Sequence, residues 1–221
     1  MVDKNKIPCV VGSTGLVGSH LIENLSKIYP KVHSITRKKV IYNSPKIENI
    51  VIDFDNIQNE KIFSSSNDLY IALGTTIKKA GSNRNFIKVD YDYCIALARN
   101  AFESGVKRLS IISSVGSNPD SKLLYPRTKG LIERDLKKLS FDHVSIMKPG
   151  LILGDRKESR FTEKAAKYLF SLFNPFLFGG FKKYKSIHAD TISQAMIYQV
   201  SKGKNGFYCL EFSELLESSK K

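Results

Sequence analysis

The run Gly12-Ser13-Thr14-Gly15-Leu16-Val17-Gly18 constrains this chain more than any other feature. It follows directly on the apolar residues 7–11 and reads as strand, glycine turn and helix start. In that arrangement backbone N–H groups and a helix N-terminus grip a pyrophosphate. Gly12 permits a tight exit from the strand. Gly15 lets the backbone approach phosphate oxygens, and Gly18 lets the helix pack closely. The spacing is G-x-x-G-x-x-G, one residue off the G-x-G-x-x-G fingerprint.

Beyond the turn, short apolar runs alternate with amphipathic stretches, the pattern of a parallel sheet with helices on both faces. The strands are expected at 7–11, 32–36, 50–53, 69–73, 108–112 and 144–147, and the helices at 17–28, 86–103 and 122–139. Val89, Tyr93, Ala96, Leu97 and Asn100 keep helical spacing, and Gly105 follows as a stop signal. Right-handed crossovers then give an α/β, doubly wound parallel sheet.

At 221 residues the chain is read as one domain, 1–221. The alternation weakens after Pro149-Gly150. Residues 162–173 look helical with Thr162 as N-cap, Asp190 caps a helix through 199, and 217–221 is expected to fray. The stretch 151–221 is therefore expected to form a small C-terminal cap over the sheet edge where ligands bind.

No apolar run approaches the roughly 20 residues a membrane helix needs, so no transmembrane segment is expected. Residues 1–6 are polar and do not resemble a signal peptide. Cys9, Cys94 and Cys209 lie far apart, without metal spacing. They are read as buried reduced thiols of a cytoplasmic protein. The net charge is +14, but the lysines are spread along the chain in pairs such as Lys38-Lys39 and Lys182-Lys183. A nucleic-acid footprint would be clustered and richer in arginine, so a solvated basic surface is expected and no specific nucleic acid.

The second predicted strand ends at Thr36-Arg37-Lys38-Lys39. An NAD-selective site usually places an acid here to accept from the ribose 2′-OH. Arg37 and Lys38 would instead meet a 2′-phosphate, which favours NADP(H) over NAD(H). Asp53 ends the third strand and could meet the adenine ring with Phe54. Leu73, Gly74 and Thr75 end the fourth, and Gly74 allows close backbone approach to a cofactor.

Tyr125 and Lys129 stand one helical turn apart on a shared face. The lysine cation favours the tyrosinate form, and a tyrosine so placed can pass a proton to or from a substrate oxygen during hydride transfer. A hydroxyl must also orient the substrate oxygen. Ser113 and Ser114 end the fifth strand, with Ser114 preferred and Ser113 in reserve. Pro126 is tolerable if this helix begins close by, because first-turn N–H groups lack partners.

With these residues in place, the chain resembles the atypical branch of the short-chain dehydrogenase/reductase superfamily, and within it the Tat-interacting-protein oxidoreductase-like family. The likeness runs nearly end to end. It takes in the glycine turn, Leu73-Gly74-Thr75-Thr76, Lys79-Ala80-Gly81 and Val89-Asp90-Tyr91-Asp92-Tyr93. It continues through Ser113-Ser114, Tyr125 with Lys129-Gly130, and Lys148-Pro149-Gly150 leading to Asp155-Arg156-Lys157-Glu158-Ser159-Arg160. The resemblance implies an NADP-binding Rossmann fold with Tyr125 as proton donor/acceptor and Lys129 beside it. It implies cofactor contacts from Thr14, Gly15, Leu16, Val17, Arg37, Lys38, Leu73 and Gly74, with Ile152 and Arg160 near the nicotinamide half. Lys38 and Lys148 replace arginines usual in the family, keeping charge but losing the planar fork.

Phe170, Phe173, Phe176, Phe178 and Phe181 either line an apolar pocket, pack as core and cap, or, with Lys182, Lys183 and Lys185, touch a membrane surface. The leading functional expectation is an NADP(H)-dependent oxidoreductase acting on a small carbonyl or alcohol. The alternative is an NADP(H)-sensing regulator whose affinity for a protein partner follows cofactor occupancy. A basic nucleic-acid binder ranks third.

Overall fold

Apolar and β-branched residues dominate the interior strands and bury them on both faces, as a parallel sheet between helical layers requires. The computed structural model describes residues 3–59, 62–154, 179–202 and 204–221. In chain order the strands and helices are β1 (Pro8–Val11), α1 (Leu16–Ile28), β2 (Val32–Thr36), β3 (Ile47–Val51), β4 (Asp68–Ile71), α2 (Ile77–Ala80) and α3 (Asn83–Ile87). After a π turn (Lys88–Asp92) come α4 (Tyr93–Glu103), β5 (Arg108–Ile112), α5 (Leu124–Leu136), β6 (His143–Met147), β7 (Ile152–Leu153) and β8 (Ile187–His188). α6 (Ala189–Lys202), β9 (Gly206–Leu210) and α7 (Phe212–Ser219) complete the described chain.

One seven-stranded parallel sheet runs in the order β3-β2-β1-β4-β5-β6-β9, and β7 pairs with β8 separately. The strand order reverses between β1 and β4. Ligands of open α/β sheets bind at such a switch point, outside the carboxyl ends of the strands. On one face Leu97, Ala98 and Ala101 of α4 and Ile132 and Leu136 of α5 pack over the sheet. On the other lie Leu21 and Leu25 of α1, Ile192 and Met196 of α6, and Leu215 of α7. Each of the buried Leu, Ile and Met side chains among these contributes roughly 1.5–3 kcal/mol of transfer free energy.

Several boundaries differ from expectation. β3 spans 47–51 rather than 50–53, because this edge strand carries Glu48 and Asn49 and lacks a continuous apolar run. Asp53 consequently follows the strand instead of ending it. The helix expected over 86–103 is broken into α3, the π turn and α4. β9 and α7 were not anticipated. β9 is a mostly exposed edge strand, and α7 is secured by a reciprocal cap between Glu211 and Glu214 and by buried Leu215. The tail is thus helical through Ser219 rather than frayed. Past residue 151, α6 packs along α1 and β9 extends the main sheet, so this stretch supplies part of the fold's body.

Cys9 and Cys94 are buried, but Cys209 is exposed on β9, where the sheet edge leaves it uncovered. Burial pushes the Cys94 thiol up to about 12 and Cys9 upward as well, which keeps both protonated and unreactive. The expected helix 162–173, Arg160, Phe170, Phe173, Phe176 and Phe178 lie outside the described residues, as does the side chain of Phe181.

Candidate functional site

The glycine turn joins β1 to α1 and packs against the backbone just past β4. Gly12 has φ +84°, and a Cβ there would lie 2.7 Å from the backbone of Ala72 and Leu73. A Cβ on Gly18 would lie 2.0 Å from the Gly12 carbonyl oxygen. These two glycines are therefore demanded by the chain's own packing. Gly15 is exposed and is the N-cap of α1, with no side-chain cap and no acidic residue in the first turn. The first amides of this 13-residue helix have no partner within it and present a positive end at the switch point. Thr14 is exposed and Leu16 half-buried, while Val17 is in the core, so Val17 can meet a ligand only through its backbone.

Arg37 and Lys38 are exposed just past β2. Thr36 Oγ1 donates to the Lys38 carbonyl at 2.7 Å, which sets the chain's path there. Beside Arg37 opens a cavity of 480 Å³ lined by Arg37, Val51, Ile52, Asp53, Phe54, Asp55 and Tyr93. The structure thus brings Arg37, Asp53 and Phe54 around one cavity. It adds Tyr93, whose ring meets Phe54 edge-on at 5.4 Å and whose hydroxyl donates to Asp55 at 2.5 Å. Lys88 pairs with the same Asp55 oxygen at 2.6 Å. Asp53 itself accepts from the Asp55 amide at 2.9 Å, fixing the turn below the cavity.

Tyr125 and Lys129 lie in the first turns of α5, and Pro126 falls within the first turn, where a missing N–H costs little. Tyr125 is 40% exposed, with its ring 5.8 Å from that of buried Phe86. Lys129 is buried, and its Nζ lies 2.7 Å from Asp90 Oδ1, the two side chains being 5% and 1% exposed. The other Asp90 oxygen accepts from the Thr75 N–H at 2.7 Å. A Cβ on Gly74 would sit 3.4 Å from Asp90 Oδ1 and 3.9 Å from Lys129 Nζ, so the backbone after β4 passes directly over the pair. Burial works against the Lys129 cation, but the Asp90 carboxylate, with smaller help from Tyr125 and Cys94, outweighs it and holds Lys129 above its ordinary range. Asp90 had no assigned role in the sequence reading. Its signal was an acid at a core-facing position of a helical stretch, and the π turn is what aims it inward.

The two serines separate. Ser113 is buried and donates to Glu133 Oε1 at 2.5 Å, alongside Ser117, while Lys148 reaches the other Glu133 oxygen at 3.1 Å. The Ser113 hydroxyl is thus spent on a bond inside the fold. Ser114 is half-buried and donates to the Val115 carbonyl at 3.1 Å, a bond that rotation of the hydroxyl can release. Ile152 is half-buried on β7, close to the start of α1, because a Cβ on neighbouring Gly154 would lie 2.8 Å from Leu16 Cδ1.

The glycine turn, the buried lysine and the strand order meet a matching family description. Residues 9–167 match the model of the NAD dependent epimerase/dehydratase family. The chain belongs to this family. Among its relatives is "Protein FMP52, mitochondrial" of Candida albicans, 40% identical over 68% of this chain and 69% of its own. "Protein HTATIP2" of Rattus norvegicus is 30% identical over 98% of this chain and 90% of its own, which agrees with the Tat-interacting-protein likeness. A solved UDP-N-acetylglucosamine 4-epimerase from Methanobrevibacter ruminantium shares the Rossmann-type fold at TM-score 0.70 and 17% identity, over 95% of this chain and 77% of its own. Membership bears on location too. Relatives from Candida albicans, Eremothecium gossypii, Aspergillus fumigatus and Saccharomyces cerevisiae all carry "mitochondrial" in their names, which overturns the cytoplasmic expectation. Polar residues 1–6 and reduced cysteines do not discriminate between these compartments. No helix among the described residues is long and apolar enough to cross a membrane.

Proposed function

We propose that this protein is an NADP(H)-dependent oxidoreductase of a carbonyl or alcohol substrate, with Tyr125 as proton donor/acceptor. The observation that carries this is the buried Lys129 one helical turn from solvent-facing Tyr125, at the carboxyl edge of the sheet beside an uncapped helix N-terminus. The dinucleotide pyrophosphate would lie against the amides of Thr14, Leu16 and Val17 and close to the Gly15 backbone, whose own N–H donates to the Gly12 carbonyl at 2.9 Å, with Gly12 and Gly18 shaping the turn. The adenosine end would enter the cavity of Asp53 and Phe54, and Arg37 and Lys38 would meet a 2′-phosphate. Leu73, Gly74 and Thr75 form the wall toward the nicotinamide, which when bound supplies or accepts the hydride. Tyr125 presents its hydroxyl to the substrate oxygen and gives or takes the proton there. Ser114 donates a second hydrogen bond to that oxygen. Lys129 supports the tyrosine and is itself held by Asp90. Ser113 serves the fold through Glu133.

The Asp90–Lys129 pair also supports a second reading. A lysine whose charge is matched by a carboxylate 2.7 Å away exerts a weaker pull on a neighbouring phenol than a lone cation. That favours an NADP(H)-sensing protein with slow turnover, whose occupancy is read by a protein partner. The names of the fungal relatives direct the search for such a partner to mitochondria.

Titration with NADPH and NADH, followed by nicotinamide fluorescence, tests the cofactor. NADPH should bind more tightly, and Arg37→Ala should weaken NADPH about tenfold while leaving NADH within about twofold. Equal affinities in the wild-type protein would overturn the NADP(H) assignment.

A further inference from the structure

Ser13, Ser34 and Tyr42 close a ring of hydroxyls outside the groups assigned above. Ser13 Oγ lies 2.7 Å from Ser34 Oγ and 2.8 Å from Tyr42 Oη, and Ser34 Oγ lies 2.6 Å from Tyr42 Oη. Each hydroxyl has one proton to donate. Three hydroxyls joined by three bonds use every proton inside the ring, each group donating once and accepting once. Ser13 and Ser34 are buried, where an unmatched hydroxyl would be costly. The Ser13 hydroxyl, although it belongs to the glycine turn, is therefore not available to a phosphate.

The ring's corners come from three pieces of chain: the glycine turn, the middle of β2, and the connection from β2 to β3. That connection carries Arg37 and Lys38. Its near end is clamped separately, because the Val40 N–H donates to Asn49 Oδ1 at 2.8 Å. Asn49 Nδ2 in turn donates to the Ser34 carbonyl at 3.0 Å and to Thr36 Oγ1 at 2.8 Å. The basic connection is thus tied to β3 at one point and, through Tyr42, to the phosphate turn at another.

We propose that Tyr42 is a positioning residue for dinucleotide selectivity, its hydroxyl locking the 37–46 connection onto Ser13 so that Arg37 and Lys38 stand ready for a 2′-phosphate. The proposal rests on the NADP(H) reading above. A 2′-phosphate adds the connection to the contacts that NADPH and NADH share, whereas NADH has no phosphate for Arg37 and Lys38 to meet. A connection ordered before binding loses little further freedom when it closes on the 2′-phosphate. Freeing its midpoint should therefore penalise NADPH selectively.

Tyr42→Phe keeps the ring packing and removes the hydroxyl. Dissociation constants for NADPH and NADH, with thermal melting to confirm folding, give the selectivity ratio directly. NADPH binding should weaken about tenfold and NADH binding by less than about twofold. Ser34→Ala, which removes another corner and leaves Tyr42 in place, should move the ratio the same way and serves if Tyr42→Phe does not fold. An unchanged ratio, whether both affinities fall together or neither moves, overturns the proposal while the NADP(H) reading stands. A wild-type protein without NADPH preference overturns both.

Discussion

Asp90→Ala should lower the unfolding free energy by about 3–5 kcal/mol, because it leaves the buried Lys129 cation without its counter-charge. Both side chains are almost wholly out of water, at 1% and 5% exposure, so no solvent shell replaces the lost partner. The same substitution removes the acceptor for the Thr75 amide and loosens the backbone at Gly74. Asp90→Asn keeps one amide oxygen where the carboxylate offers two, so it retains an acceptor for one of the two donors and should cost less. Denaturant unfolding of the three proteins measures the series. A loss of under about 1 kcal/mol for the alanine variant, the range of an exposed pair, would show that Lys129 finds water or another acceptor.

The pH dependence of that loss follows from the direction of the Lys129 shift. In the wild-type protein Lys129 is held above its ordinary value of 10.5. A raised lysine contributes stability in full below the unfolded value and loses it as pH climbs through the folded one. In Asp90→Ala the desolvation of Lys129 is largely unopposed, so its folded value falls below the ordinary range and the sign reverses. Stability of the variant then rises with pH up to the unfolded value. The gap between wild type and variant should accordingly narrow toward alkaline pH. A gap that widens there would mean that Lys129 is not the group left exposed to the penalty.

The sheet was legible because its interior strands carry the signal that burial demands. Val10, Ile35, Leu69, Ile111 and Ile146 are all in the core, and each falls in a predicted strand. The edges were not: Glu48 and Asn49 dilute the apolar pattern of half-solvated β3, and β9 offers only the short run 207–210 behind Gly206. At the site, residues tied to backbone geometry were readable in advance. Gly12, Gly18 and the Tyr125–Lys129 spacing depend only on local chain shape and helical periodicity. Asp90 and Tyr42 act through side chains that meet partners 39 and 29 residues away in sequence, and local spacing carries no such information. The two serines show the same limit, since only the long-range contact with Glu133 separates Ser113 from Ser114.

Tyr125→Phe should reduce turnover about 1,000-fold and leave folding and NADPH affinity nearly unchanged. The hydroxyl sits on a residue 40% exposed, and the ring, which packs near Phe86, is retained. Surface-facing changes of this kind usually alter stability by within about 0.5 kcal/mol. The assay is NADPH oxidation across a panel of carbonyl compounds, with melting temperature and NADPH binding measured on the same preparations. Loss of turnover with binding intact would assign Tyr125 the proton. Turnover that survives the substitution would remove Tyr125 from the chemistry, whereas NADPH binding without turnover already in the wild-type protein would favour the sensing reading. In that case Lys129 and Asp90 serve to hold the Gly74–Thr75 wall in place, and cofactor-dependent binding of a partner should persist in Tyr125→Phe and fail in Asp90→Ala. The two variants together therefore separate an enzyme, which needs the phenolic proton, from a switch, which needs only the ordered wall.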